Sequence, residues 1–260
     1  MGDSAKWALI IGGSSGLGLA TAQKLASEGF NLILIHRDRR ANMPSVQEEF
    51  QLMVSNGATV HSFNKDAVDV AGRKEIVEEI KPLLGATKIS VLVHSIAKGN
   101  VKPMWDAQDG ALSSNDFQLT MDAMAISLFD WVKVLHQSQI FGQDVRVIAF
   151  TSEGSTRALK NYAAVGAAKA ALESITRNIA LEFAPFGIKA NCIQAGVTDT
   201  PSLRLIPNSE KLIQASIRRN PNRRLTTPKD VANVTYLLTT KEAQWITGTV
   251  IKVDGGESLQ

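Results

Sequence analysis

Seven short apolar runs punctuate the chain: 7–11 (WALII), 32–35 (LILI), 60–64 (VHSFN), 91–94 (VLVH), 145–150 (VRVIAF), 190–193 (ANCI) and 250–253 (VIKV). Most are continuously apolar rather than alternating. That pattern belongs to strands covered on both faces, as in a parallel sheet. Segments of helical length separate them, at 17–28, 44–55, 70–84, 116–139, 163–184 and 228–238. Strand–helix alternation implies right-handed crossovers and a Rossmann-type α/β fold: a doubly wound, parallel seven-stranded sheet with helices on both faces. No repeat, low-complexity tract or linker interrupts it, so 1–260 reads as a single domain. Residues 198–224 break the rhythm, with three prolines and no strand pattern. Beside a ligand crevice such an insertion serves as a lid; otherwise it is a helical excursion with a structural role.

Composition narrows the class only a little. The 260 residues are 44% hydrophobic and 20% charged, enough for a sizeable core without covalent staples. With 28 basic and 25 acidic side chains the net charge is +3, too near balance to indicate nucleic acid. The single Cys192 cannot form an intrachain disulfide, which suits a reducing compartment. There is no run of ~18 apolar residues of the kind a membrane-spanning helix needs. The start, MGDSAKW, lacks an apolar leader, and Lys6 stands where an acylation signal has Ser or Thr. The expected location is cytoplasmic, with no membrane partner. His61 and His136 have no Cys or carboxylate at ligand spacing, so no metal is expected.

The first chemistry lies after the first strand, in IGGSSGLG. Gly12 turns the chain off the strand, Gly16 lets backbone approach a pyrophosphate, and Gly18 lets the following helix pack on the sheet. Ser14, Ser15 and Leu17 complete a loop whose helix N-terminus offers free N–H groups to phosphate. The bland alternative is a tight turn without ligand. The second strand ends IHRDRR, with His36 and Arg37 where a NAD site places a carboxylate. A cation there suits the 2′-phosphate of NADPH, with Arg37 as chief contact and Arg39 as backup; a wet basic loop is the alternative. Asp66, after the third strand, is placed near the adenine, or is a turn former.

The stretch NYAAVGAAK carries one of two tyrosines, Tyr162, with Lys169 seven positions on. Together with GGSSGLG, VLVH followed by Ser-Ile-Ala, and Val-Asp-Gly-Gly near the end, it resembles the short-chain dehydrogenase/reductase superfamily over nearly the whole chain. Within it the chain is most similar to the NADPH-using bacterial enoyl-acyl-carrier-protein reductases that keep the glycine-rich loop. Two features carry this narrower likeness: His94-Ser-Ile-Ala97 in place of Asn-Asn-Ala-Gly, and Y-x6-K spacing in place of Y-x3-K.

That resemblance implies roles. Lys169 holds the nicotinamide ribose and lowers the phenol pKa of Tyr162. Tyr162 hydrogen-bonds the carbonyl oxygen of a trans-2-enoyl thioester, which receives hydride from NADPH. Ala67, Ser95, Ile96, Ala97, Ala195, Gly196 and Val197 join the cofactor site, with Thr198 and Thr200 near the nicotinamide amide and pyrophosphate. An acyl carrier protein delivers the substrate, and the assembly is a homo-tetramer packed through 116–139 and 163–184. Seven helical positions span about 700°, close to two full turns, so Tyr162 and Lys169 project from one face; Val165 stands where Y-x3-K would place the tyrosine.

Departures keep a second reading open. Ser152 lies where carbonyl reductases place a catalytic serine, and where many enoyl reductases have a second tyrosine; a strand-end serine satisfying backbone is the alternative. Met124 takes the place of the relay Asn of ketoreductases, against a 3-oxoacyl or other carbonyl reductase. A non-catalytic NADP-binding protein is a third reading, disfavoured by the Tyr–Lys pair. Lys98, Lys102, Arg218, Arg219, Arg223 and Arg224 are candidate docking charges for an acidic carrier, or a solvated surface.

Overall fold

The computed structural model describes residues 5–108, 110–206 and 208–260, so the first residues read for a leader lie outside it. Seven strands form one sheet: β1 (Lys6–Ile11), β2 (Phe30–His36), β3 (Val60–Asn64), β4 (Ile89–His94), β5 (Phe141–Ser152), β6 (Ile188–Ala195) and β7 (Val250–Val253). Their order is 3-2-1-4-5-6-7, and every neighbouring pair is parallel. Between them run α1 (Gly16–Ser27), α2 (Met43–Ser55), α3 (Val70–Leu84), α4 (Ser114–Met121), α5 (Ser127–Gln137), α6 (Ala163–Glu182), α7 (Pro201–Arg204), α8 (Ser209–Arg219) and α9 (Pro228–Leu237).

The continuous apolar runs are explained by two cores. Along β1, Trp7, Leu9 and Ile11 face one side with α3, α5 and α6, whereas Ala8 and Ile10 face α1, α2 and α9 on the other. Side chains alternate across a strand, so only a strand covered on both faces must be apolar at every position. The winding reverses between β1 and β4: from β1 the strand order runs outward through β2 to β3, and from β4 it runs the other way to β7; ligand crevices of open α/β sheets form at such a switch point.

One element differs from expectation. The helix expected over 116–139 is broken: a five-residue π-helical segment, Asp122–Ile126, separates α4 from α5. Such widened turns gather at functional sites. The segment 198–224, read as a lid or a helical excursion, carries the helices α7 and α8. Its start is fixed by the Thr200 hydroxyl, which accepts from Leu203 N.

Candidate active site

The crevice opens at the carboxyl ends of the strands. Leaving β1, Gly12 adopts φ +84°, and a Cβ there would lie 2.5 Å from the Ser95 carbonyl oxygen. A Cβ on Gly18 would lie 2.0 Å from the Gly12 carbonyl oxygen, so only glycine allows this approach of helix to loop. Ser15 N-caps α1 without a side-chain hydrogen bond, which leaves the first N–H groups of α1 for a ligand. A dinucleotide pyrophosphate fits this cradle. Thr200 stands beside it, its Cγ2 3.3 Å from where a Gly16 Cβ would be. Ser95 donates its N–H to the Ile11 carbonyl at 2.8 Å, tying β4's exit to the cradle.

At the end of β2 the two candidates separate. Arg37 is exposed and donates to Asp66 at 2.8 Å, and Lys98 reaches the same carboxylate at 3.5 Å. Two cations therefore converge where the adenosine end would lie. Asp66 is held below the usual carboxylate range: against burial, the Val68 N–H and the charges of Lys98 and Arg37 favour its ionised form. His36 is placed otherwise. Its ring is buried edge-on against Phe50 of α2, with Nδ1 2.8 Å from Asp38, because strand alternation turns it to the α2 side. Ala67 is committed too: its carbonyl accepts from Arg73 and from Trp131 Nε1.

The candidate reacting groups sit between β5 and α6. Three successive residues of β5 each reach α6 or its cap. Lys169 Nζ donates to the Phe150 carbonyl at 2.7 Å, Thr151 Oγ1 donates to Glu173 at 2.6 Å, and Ser152 Oγ lies 3.4 Å from the Tyr162 hydroxyl. Tyr162 is the N-cap of α6, with φ −117° and ψ 8°, so it precedes the helix rather than lying within it. The single-face argument from helical rotation is corrected accordingly. Asn161, in the left-handed region at φ 62°, turns the chain so that the phenol reaches back over Gly154. A Cβ on Gly154 would meet the Tyr162 ring at 2.5 Å. Val165 is buried beside Met124 and Ala168, with Tyr162 packed on that cluster.

The electrostatics follow from burial. Lys169 is buried and its pKa is lowered to about 8, desolvation outweighing the nearby Cys192 and Glu173. Burial raises the Tyr162 phenol, and only the Ser152 hydrogen bond works the other way, contrary to the expected lowering by Lys169. His94 is wholly buried, its pKa lowered to about 3 by desolvation and by Lys169; its Nε2 pairs with Ser127 Oγ at 2.8 Å, just past the π-helical segment. On the far side, Gly196 packs against Thr226 and Asp254, and Val197 N donates to Glu257. Thr198 is buried and donates its hydroxyl to Gly196. Ala195 ends β6 beside this loop, while Ile96 packs at the core edge and Ala97 is exposed. Sequence reasoning passed over Glu153, Gly154, Glu173 and Glu257, whose partners in the site lie 8 to 66 positions away.

The docking charges are mostly occupied. Lys102 pairs with Asp116, Arg224 with Asp230, and Arg219 with Glu153 and Glu257. Among the described residues no three His, Cys, Asp or Glu side chains gather as a metal site, and no helix is long and apolar enough to cross a membrane.

The sheet order, the glycine cradle and the Ser–Tyr–Lys cluster define a short-chain dehydrogenase/reductase, a family of NAD(P)-dependent oxidoreductases. More narrowly, residues 12–258 match the family described as Enoyl-(Acyl carrier protein) reductase, and the chain belongs to it. It is 28% identical to the 1-cyclohexenylcarbonyl-CoA reductase of Streptomyces collinus, over 99% of this chain and 88% of that one. It is 26% identical to a tropinone reductase homolog of Arabidopsis thaliana, over 96% and 91% of the two chains. The crystal structure of YwfH, an NADPH-dependent reductase involved in bacilysin biosynthesis, superposes with a TM-score of 0.82 at 26% identity, covering 98% of both chains.

Proposed function

We propose that this protein is an NADPH-dependent enoyl-[acyl-carrier-protein] reductase, reducing the C2=C3 double bond of a trans-2-enoyl thioester in fatty-acid synthesis. The observation that carries the reading is the Tyr162 hydroxyl beside Ser152, over a π-helical segment with Met124 in place of a relay Asn. A carbonyl reduction needs a proton delivered to oxygen, and hence a relay to refill the phenol. Enoyl reduction needs a hydrogen bond to the thioester oxygen as negative charge builds there; the proton it consumes then enters at the α-carbon, from water reaching the crevice, and not at the oxygen. Tyr162, with its raised pKa, keeps its proton and serves as that donor.

The cradle of Gly12, Gly16 and Gly18 would hold the pyrophosphate, Arg37 with Lys98 the 2′-phosphate, and Lys169 the nicotinamide ribose. Bound NADPH supplies the hydride. Ser152 orients the Tyr162 hydroxyl, and Lys169, buried and bonded to the Phe150 carbonyl, brings a positive charge into the site. The Ser152–Tyr162 contact also suits ketone reduction, and a tropinone reductase homolog is among the relatives, so a 3-oxoacyl thioester is the competing substrate.

An apolar groove between α5 and α6, lined by Ile126, Phe129, Ile175, Ile179 and Phe183, supports a homo-tetramer. With Lys102, Arg219 and Arg224 paired internally, Arg218 and Arg223 are the charges offered to an acidic carrier. A spectrophotometric assay of NADPH loss with crotonyl and acetoacetyl thioesters tests the reading, and light scattering tests the assembly.

A further inference from the structure

Arg219, the last residue of α8, is unlike the other arginines of the excursion. Its guanidinium is turned inward and donates to two carboxylates from distant parts of the chain. Nη1 and Nη2 reach Glu153 Oε1 and Oε2 at 3.2 and 2.5 Å, and Nη2 also reaches Glu257 Oε1 at 2.8 Å. Bidentate pairing fixes the angle of a carboxylate as well as its position.

Each carboxylate leads into the candidate active site by a different route. Glu153 follows Ser152 directly and opens the turn Glu153–Ser155. The next residue, Gly154, is the wall against the Tyr162 ring, and its carbonyl would lie 2.6 Å from a Cβ on Gly166 of α6. Moving Glu153 therefore moves the floor under Tyr162. Glu257 is 1% exposed, and its other oxygen accepts from Val197 N at 3.0 Å, in the loop that leaves β6. The neighbouring Asn220, also buried, fastens the same end of α8 to the Asp254 carbonyl at 2.8 Å. Burial holds Glu257 against Arg219, so removing the guanidinium would leave a buried carboxylate without its counter-ion, and Glu153 with Arg157 alone.

We propose that Arg219 is a positioning residue with two arms: through Glu153 it sets Tyr162 and Ser152, and through Glu257 it sets the Val197 loop of the cofactor site. The proposal rests on the reading of Tyr162 and Ser152 as the reacting groups. Its cofactor arm requires only that the crevice binds NADPH.

The test uses the full chain and four variants: Arg219→Ala, Arg219→Lys, Glu153→Gln and Glu257→Gln. The readouts are NADPH Kd by fluorescence titration, kcat with a crotonyl thioester, and Tm. Arg219→Ala is expected to weaken NADPH and lower kcat, each about tenfold, the scale of a lost charge-assisted hydrogen bond. Arg219→Lys restores part of both. The two glutamine variants should split: Glu153→Gln acts mainly on kcat and Glu257→Gln mainly on Kd. In Glu257→Gln an amide NH2 must face either the guanidinium or the Val197 N–H, both donors, so one bond is lost. If both variants instead change kcat and Kd together, in step with loss of Tm, the network is merely structural and the proposal fails. A folded Arg219→Ala that behaves as the parent also overturns it. Should Arg219→Ala not fold, the split between the glutamine variants decides. If the parent turns over no thioester, the functional reading fails separately, and an unchanged NADPH Kd in Glu257→Gln still overturns the cofactor arm.

Discussion

The hydroxyl of Ser152 lies 3.4 Å from that of Tyr162, one at the end of β5 and the other at the cap of α6. This distance is longer than a good O–H···O hydrogen bond, so the pair is set to tighten around a substrate oxygen. If Tyr162 is the donor, Tyr162→Phe lowers kcat about a hundredfold or more, and Ser152→Ala, which removes only the orienting partner, about tenfold. NADPH affinity should hardly change in either. Steady-state kinetics with a fluorescence titration checks both.

Gly154 offers a sharper probe of the same contact. A Cβ at this position would enter the Tyr162 ring at 2.5 Å, so Gly154→Ala must displace the phenol. The variant should retain the fold and bind NADPH, yet lose most turnover. Wild-type turnover with a normal Tm would mean that the ring position is irrelevant.

Lys169 ties stability to pH. Its folded pKa of about 8 lies below the ordinary lysine value, because burial disfavours the charged form. Between those two values the unfolded chain binds the extra proton. The folded state is therefore penalised in full below about pH 8 and relieved as pH rises further. Lys169→Met removes the penalty and should raise stability at pH 7 by on the order of 1–3 kcal/mol, while abolishing turnover. Denaturant melts at pH 7 and 9.5 check the sign: the gain must shrink at the higher pH.

His94 acts in the acid range. Its folded pKa is lowered to about 3 by desolvation and Lys169, so the unfolded chain takes up a proton that the folded chain refuses. Stability is fully present above the ordinary histidine value and is lost as pH falls towards 3. His94→Asn should flatten the acid limb of a Tm-against-pH curve, and an unchanged limb would place the acid lability elsewhere.

Much of this was legible beforehand, for identifiable reasons. The strands β1, β2, β4, β5 and β6 were read because their runs are apolar on both faces, the edge strands β3 and β7 from shorter, partly polar segments, and the glycine loop because its geometry admits no other residue at Gly12 and Gly18. The π-helical segment was not, since TMDAMAISLF keeps an ordinary helical period. The orientation of His36 is fixed by strand alternation against α2, which an IHRDRR string does not reveal. Arg219 read as one of several surface charges because its partners are 66 and 38 positions away.

Arg37 should set cofactor choice. It is exposed at the end of β2, held by Asp66 and joined by Lys98. Arg37→Ala is expected to raise the KM for NADPH about tenfold and leave that for NADH nearly unchanged, the loss of one charge-assisted phosphate contact. Equal effects on both cofactors would remove Arg37 from the 2′-phosphate site.

The most direct measurement is the rate of NADPH oxidation with a crotonyl or 2-octenoyl thioester against an acetoacetyl thioester, with Tyr162→Phe in parallel. Turnover of the enoyl substrate, lost in the variant, is the predicted result. Turnover of the acetoacetyl substrate alone would contradict the account and make Ser152, with Tyr162 as proton donor, the centre of a carbonyl reductase.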